Sequence, residues 1–324
     1  MRPPRLINAE EIRAAISFKD LIEPVADAFR ISSAKGAANG FILMLPTGDA
    51  SEADAFVKTG VLKDHDVYIV KVAPWFAKNV ADGLPQGGIV AVFDSHTGHT
   101  LAVLSDEHYL SDIRTAAAGA LAARQFAPKD VDTVAILGTG VQAYLQALAV
   151  FGERPCRRML VWGRDGRKAK ALAMRLRAEL PGVECEWVGN VESAVRQSDV
   201  VVTATLAREP LVRGAWLRPG QLVIAVGADD PSKCELDVDT LMTATVFVDE
   251  IKATAANGDI FHALQSGRQL SDLVDAEIGD VLLGRHPGRT TGEEVIVAKF
   301  VGLGAQDVVA AEQVMRKMKL IATP

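Results

Sequence analysis

Residues 134–143 read Val-Ala-Ile-Leu-Gly-Thr-Gly-Val-Gln-Ala, and no other stretch restricts the fold as much. The short apolar run predicts a buried strand. It stops at Gly138, Thr139 and Gly140, after which Val141 and Gln142 open a run with helical periodicity. In such a strand–turn–helix unit, Gly138 permits the tight turn and Gly140 lets backbone approach a pyrophosphate. Ala143 lets helix and strand pack closely. The helix N-terminus then offers unpaired N–H groups and its positive dipole end to phosphate. The G-x-G-x-x-A spacing alone is weak, and the strand before it and helix after it give it meaning. The expectation is a dinucleotide held by Gly138, Thr139, Gly140, Val141 and Gln142.

The segments after this turn agree with that expectation. Apolar runs at 133–137, 158–162, 184–188, 199–203, 221–226 and 245–248 read as strands. Helical patterns at 141–151, 166–180 and 191–196 lie among them. Alternation of this kind predicts a parallel sheet with helices on both faces. The first third of the chain reads differently. Residues 8–35 show helical spacing (Ile12, Ile16, Leu21, Val25, Phe29) behind a capping Asn8. Short β-rich runs follow at 41–45, 55–59, 67–72, 89–93 and 101–105, the last two joined by a turn at 94–98. They predict an antiparallel or mixed sheet. A small-residue helix through 115–123 ends before Pro128, and an amphipathic helix is expected over 307–319.

Cofactor flavour is read at the end of the second strand. An acid that binds the ribose 2′-hydroxyl is expected about 20 residues past the glycines. Here that position is Gly163, followed by Arg164, with Arg167 and Lys168 just beyond. Without a carboxylate a 2′-phosphate is not repelled, and Arg164 can pair it bidentately. NADP(H) is therefore favoured and NAD(H) possible. Asp165 is the counter-reading, because a small shift of the strand end would restore an acid.

Four further residues stand out as chemistry. Lys58 and Lys71 interrupt apolar β-like runs, where a charge needs a partner, a cleft, or a sheet face open to water. Arg114 begins the small-residue helix and could grip a carboxylate or form an ordinary salt bridge. Asp229 follows the apolar run that ends in Val226 and Gly227, near the carboxyl end of a predicted parallel strand, where ligands bind in open α/β sheets. A plain helix cap is its alternative role.

Composition excludes more than it identifies. A net charge of −6 argues against a nucleic-acid surface. No run has the length and apolarity of a membrane span. The residues from Met1 to Arg5 lead into Glu10 and Glu11 rather than an apolar segment, so no signal peptide is read. Cys156, Cys185 and Cys234 form no C-x-x-C and suit a reducing, cytoplasmic setting. Cys234 reads as a small buried filler. The histidines show no metal-ligand spacing, so no metal is expected.

Several segments together resemble the ornithine cyclodeaminase/mu-crystallin family over nearly the whole chain. They are residues 70–72, 114–117, 136–143, 203–205, 225–229, 233–236, 248–249 and 302–307, in matching order and spacing. The resemblance implies an α/β chain with two parts. One is a Rossmann dinucleotide-binding domain (119–304). The other is an α+β substrate-binding and dimerisation domain (1–118 with 305–324). It implies that Lys71 and Arg114 hold a substrate carboxylate, that Asp229 is catalytic together with Lys71, and that Lys233 orients Asp229. Cofactor contacts are implied for Arg114, Thr115, Thr203, Ala204, Thr205, Val226 and Gly227, beside the glycine turn and Arg164. An arginine that cyclodeaminases carry near the position of Ser33 is missing, and Lys58 could supply its charge. Asp229 is retained, whereas mu-crystallin-like members lack that acid. The implied activity is NAD(P)-dependent redox chemistry at the C–N bond of a small amino or imino acid, in a homodimer. Its alternatives are cyclodeamination of ornithine or a related diamino acid, and NADP-dependent binding of a small ligand without catalysis.

Overall fold

The computed structural model describes residues 3–321. Met1, Arg2 and residues 322–324, which belong to the N-terminal reading and to the outer ends of the expected substrate domain, lie outside the described residues. The described residues divide into two compact units, 3–117 with 303–321 and 118–302.

The first unit is built on a mixed sheet. Its strands are β1 (Arg5–Asn8), β2 (Ala37–Met44), β3 (Ala53–Leu62), β4 (Val67–Phe76), β5 (Ile89–Asp94) and β6 (Thr100–Ser105). They run in the order β1-β6-β5-β4-β3-β2, antiparallel except for the parallel pair β1–β6. Helices α1 (Ala9–Ala15), α2 (Ile22–Ser33), α3 (Ala77–Asp82), the start of α4 (Tyr109–Phe126) and the C-terminal helix accompany it. The single helix expected over 8–35 is in fact two. Asn8 and Glu11 form one capping box, and Ser17 and Asp20 form a second, which starts a new turn. Ile16 is extended between them, and Pro24 sits in the first turn of α2, where it costs no helical hydrogen bond.

The second unit is an eight-stranded, wholly parallel sheet among the described residues. Its strands and helices follow β7 (Thr133–Leu137), α5 (Val141–Glu153), β8 (Arg158–Trp162), α6 (Gly166–Glu179), β9 (Glu184–Trp187), α7 (Val191–Gln197), β10 (Val200–Thr203) and β11 (Leu222–Ala225). Then come α8 (Val238–Thr243), β12 (Thr245–Val248), α9 (Ile251–Ala255), α10 (Gly258–Gln265), β13 (Ala276–Glu277), α11 (Ile278–Leu282) and β14 (Ile296–Lys299). The order is β13-β12-β14-β11-β10-β7-β8-β9. Strand order reverses between β7 and β10, and the crevice at the carboxyl ends there is where open α/β sheets bind ligands. Val201, Val223, Val246 and Val297 are wholly buried in the core of this sheet.

Helix α12 (Gly304–Lys317) belongs to the first unit and differs from its expectation. An amphipathic helix should keep a polar face in water, yet Gln306, Asp307 and Glu312 are buried along with Val308, Val309 and Met315. The polar side chains are paired instead of solvated: Glu312 meets His65 at 2.9 Å and Arg316 at 3.0 Å, and Asp307 meets Lys71 at 2.8 Å. No helix among the described residues is long and apolar enough to cross a membrane.

Candidate functional site

The glycine turn lies at the switch point of the second unit. Gly138 takes φ +138°, and its N–H donates to the Trp162 carbonyl at 2.9 Å. A Cβ there would overlap the Ala204 carbonyl oxygen, so both the dihedral and the space require glycine. Gly140 is the extended N-cap of α5 and gives it no side-chain cap, whereas Asp165, Asn190 and Asp237 cap α6, α7 and α8. An uncapped first turn leaves N–H groups and the dipole end available to an anion, which fits a pyrophosphate. Gly138→Ala is expected to abolish measurable dinucleotide binding in a fluorescence titration, since Ala204 is backbone and cannot step aside. Wild-type affinity in that variant would remove the turn from the site.

At the end of β8, a Cβ on Gly163 would meet the Thr139 methyl, so a side chain there would need Thr139 to turn aside. Arg164 is exposed. The Asp165 carboxylate is engaged as a cap: its Oδ1 accepts from the Arg167 N–H at 2.9 Å, and that bond holds the carboxyl below its ordinary value. Thr203 closes β10, followed by Ala204 and Thr205, while Val226 and Gly227 follow β11. The Ala204 N–H reaches the Leu137 carbonyl at 2.8 Å and the Val226 N–H the Thr203 carbonyl at 3.0 Å, so these segments continue the ladders of the sheet.

In the first unit, the two lysines are not on a face open to water. Lys58 and Lys71 are register partners across β3 and β4, at 5% and 2% exposure. Like charges placed opposite each other in a sheet repel. The Lys71 ammonium donates to Asp307 Oδ1 at 2.8 Å and to the Ser111 hydroxyl at 3.0 Å. Arg114 Nε stands 3.4 Å from the same Asp307 oxygen. Lys58 lies 5.7 and 5.5 Å from the ring centres of Phe41 and Phe56. Burial, and then the neighbouring Arg114 charge, lower the Lys71 pKa against the pull of Asp307. Burial pushes Asp307 up, but Lys71, Arg114 and Lys58 outweigh it and hold the carboxyl below its usual value. The Asp307 carboxylate thus lies in the field of three cations, and the buried Asp106 carboxylate also acts on Lys71.

Helix α4 carries Ser111, Arg114 and Thr115, and its start is fixed by a tight turn. Asp106 accepts the Leu110 N–H at 3.0 Å, while Glu107 and His108 both take left-handed φ values of 51° and 71°. Such conformations persist where surrounding structure over-determines them. Burial pushes the Asp106 pKa up. The Thr115 hydroxyl donates to the Ser111 carbonyl at 2.8 Å.

Asp229 belongs to the second unit and is the N-cap of no helix among the described residues; its side chain is 34% exposed and lies 2.7 Å from the Lys233 ammonium. Lys233 also reaches Asp230 at 2.9 Å. Burial alone would lower the Lys233 pKa, but the two carboxylates push it upward, so the ammonium stays charged. Cys234 is buried, and desolvation pushes its thiol up to about 12, which removes thiolate chemistry at neutral pH.

Sequence reasoning missed Ser111, Asp307 and Glu235. Asp307 and Glu235 both lie within segments that carried the family resemblance, and an acid inside an otherwise apolar motif was the available signal.

Comparison with known proteins gives a consistent result. The family model for the ornithine cyclodeaminase/mu-crystallin family matches residues 4–320. A protein of Sinorhizobium fredii described as an uncharacterized cyclodeaminase is 34% identical over 311 residues, 95% of this chain and 93% of the relative. The Thermococcus litoralis Δ1-pyrroline-2-carboxylate reductase, solved with NADH and L-proline, superposes with a TM-score of 0.90 at 28% identity, covering 97% of each chain. An archaeal alanine dehydrogenase dimer with bound NAD gives 0.89 at 28% identity, covering 99% of this chain and 98% of the other.

Proposed function

The chain belongs to the ornithine cyclodeaminase/mu-crystallin family, and we propose that it is an NAD(P)-dependent oxidoreductase acting on the C–N bond of a small amino or imino acid. The observation that carries this reading is the convergence of two buried cations, Lys71 and Arg114, on one Asp307 oxygen in the first unit. An ammonium and a guanidinium held on a strand and a helix are a ready grip for an α-carboxylate. The neighbours solved with NADH and proline and with NAD support the same chemistry.

Bound at the glycine turn, the nicotinamide would supply or accept the hydride. Lys71 and Arg114 hold the substrate carboxylate and fix the orientation of the reacting carbon. Asp229 moves the proton at the substrate nitrogen, and Lys233 keeps that carboxylate in place. In the reductive direction an imino acid, one hydride and one proton give the amino acid. The second reading, cyclodeamination, is favoured by the 34%-identical relative from Sinorhizobium fredii. It releases ammonia and leaves the cofactor in its starting state.

The experiment is to follow reduced-nicotinamide absorbance and ammonia separately, with cyclic imino acids, pyruvate plus ammonia, and ornithine. Stoichiometric oxidation of the reduced cofactor is expected. Ammonia release without net redox would replace this reading with cyclodeamination. Neither signal, with thermal stabilisation by a small ligand, would leave a binding protein. We further propose NADP(H) as the preferred cofactor, because Gly163 puts no carboxylate at the end of β8, Asp165 is occupied as a cap, and Arg164 is exposed. Tighter binding of NADH than NADPH would overturn that preference. The working form in this proposal is a cytoplasmic homodimer.

A further inference from the structure

Glu235 is wholly buried in the second unit, yet it belongs to none of the strands or helices it holds. Its Oε2 accepts from the Thr203 hydroxyl at 2.7 Å, the Gly227 N–H at 2.9 Å and the Ala228 N–H at 3.2 Å. Its Oε1 accepts from the Thr205 N–H at 2.7 Å and the Thr205 hydroxyl at 2.8 Å. A carboxylate has about four lone-pair sites, and five donors saturate it. The donors come from the chain leaving β10 and the chain leaving β11, beside the switch point.

Glu235 is itself held. Asp259 Oδ1 accepts the N–H groups of Glu235 at 2.6 Å and Leu236 at 2.9 Å. Lys299 Nζ lies 2.9 Å from Asp259 Oδ2 and donates to the Ala228 carbonyl at 2.5 Å. Ala228 is therefore fixed through its N–H by Glu235 and through its C=O by Lys299. Asp229 is the next residue.

We propose that Glu235 is a positioning residue of the dinucleotide site, whose ionised carboxylate locks the segments 203–205 and 227–228 into the cofactor-binding conformation. The inference rests on the reading of that site as a dinucleotide site. Protonation would set an O–H against N–H donors, so the clasp needs the charged form. Burial, then the charge of Asp259, push the Glu235 pKa up, opposed by Lys299 and the threonine hydroxyls. The titratable groups facing it are Asp259 on α10, Lys299 on β14 and the neutral Cys234 thiol. Cofactor affinity should therefore weaken as pH falls through the raised value.

The test is a titration with NADH across the acid range, read by fluorescence, on wild type and Glu235→Gln. NADH is chosen because the 2′-phosphate of NADPH would itself titrate near pH ~6. Wild type is expected to bind at neutral pH and weaken on acidification. Glu235→Gln is expected to bind roughly 10–100-fold more weakly at neutral pH, with no acid limb, because an amide N–H₂ faces donors. A purely structural role would lower the melting temperature without removing the limb. Wild-type affinity with the limb retained would overturn the inference alone. Wild type that binds neither NADH nor NADPH at neutral pH would overturn the dinucleotide reading and this inference with it; where only NADPH binds, the same comparison is made with NADPH, whose 2′-phosphate limb is common to both proteins. If Glu235→Gln does not fold, Thr203→Val decides: losing one hydroxyl donor should move the acid limb to higher pH, and an unmoved limb overturns the inference.

Discussion

Asp307→Asn is expected to destabilise the protein by about 3–5 kcal/mol, the usual cost of leaving a buried charge without its partner. Lys71→Met is expected to cost much less, although it breaks the same ion pair. The asymmetry follows from the count of charges. Lys71 and Arg114 both approach one Asp307 oxygen, and Lys58 stands opposite Lys71 in the sheet. Removing Asp307 leaves buried cations repelling one another. Removing Lys71 leaves Asp307 facing Arg114 with part of the repulsion relieved. Urea unfolding at neutral pH checks this, and equal losses in the two variants would refute the asymmetry. The substrate readout should run differently, because Lys71→Met takes away half of the proposed carboxylate clamp and should raise KM. The acid dependence has a defined sign. Asp307 is held below its ordinary value in the fold, so its contribution is complete above the unfolded carboxyl value near ~3.9. It is lost as pH falls through the lower folded value. Wild type should show that loss below about pH 4, and Asp307→Asn should lack it.

Local pattern carried the sheet of the second unit as far as each strand had a clear apolar run. Residues 133–137, 158–162 and 245–248 are strands at the expected bounds. β14 escaped because four residues ending in Lys299 carry no periodicity, and a lysine argues against a buried strand until its partner Asp259 is known. That strand lies between β11 and β12, so the missing element was central to the sheet. The same limit applies to the site. The residue types at 58, 71, 114 and 229 were legible because charge in an apolar run stands out. The shared partner of Lys71 and Arg114 was not: Asp307 lies 236 positions from Lys71, and on its own helix it reads as an exposed polar residue. The role of Glu235 was hidden for a related reason, since three of its five donors are backbone N–H groups that leave no trace in residue type.

Asp229→Asn is expected to lower kcat by about 10²–10⁴-fold while leaving stability and cofactor affinity near wild type. The amide keeps the shape of the side chain but cannot take up a proton. Stability should hold because Asp229 is only partly buried and Lys233 retains Asp230 at 2.9 Å after the change. Cofactor affinity should hold because Ala228 stays fixed by Glu235 and Lys299, whichever side chain follows it. The three readouts together separate a proton-moving group from a structural one. A matched fall in kcat and melting temperature would assign Asp229 to the loop's architecture, and unchanged turnover would remove it from the reaction. A rise in KM with kcat preserved would place it with the binding groups. Lys233→Met sharpens the choice. Without its ammonium, Asp229 loses its fixed partner but keeps its proton-accepting oxygens, so a smaller loss in kcat than in Asp229→Asn is expected if the acid itself moves the proton.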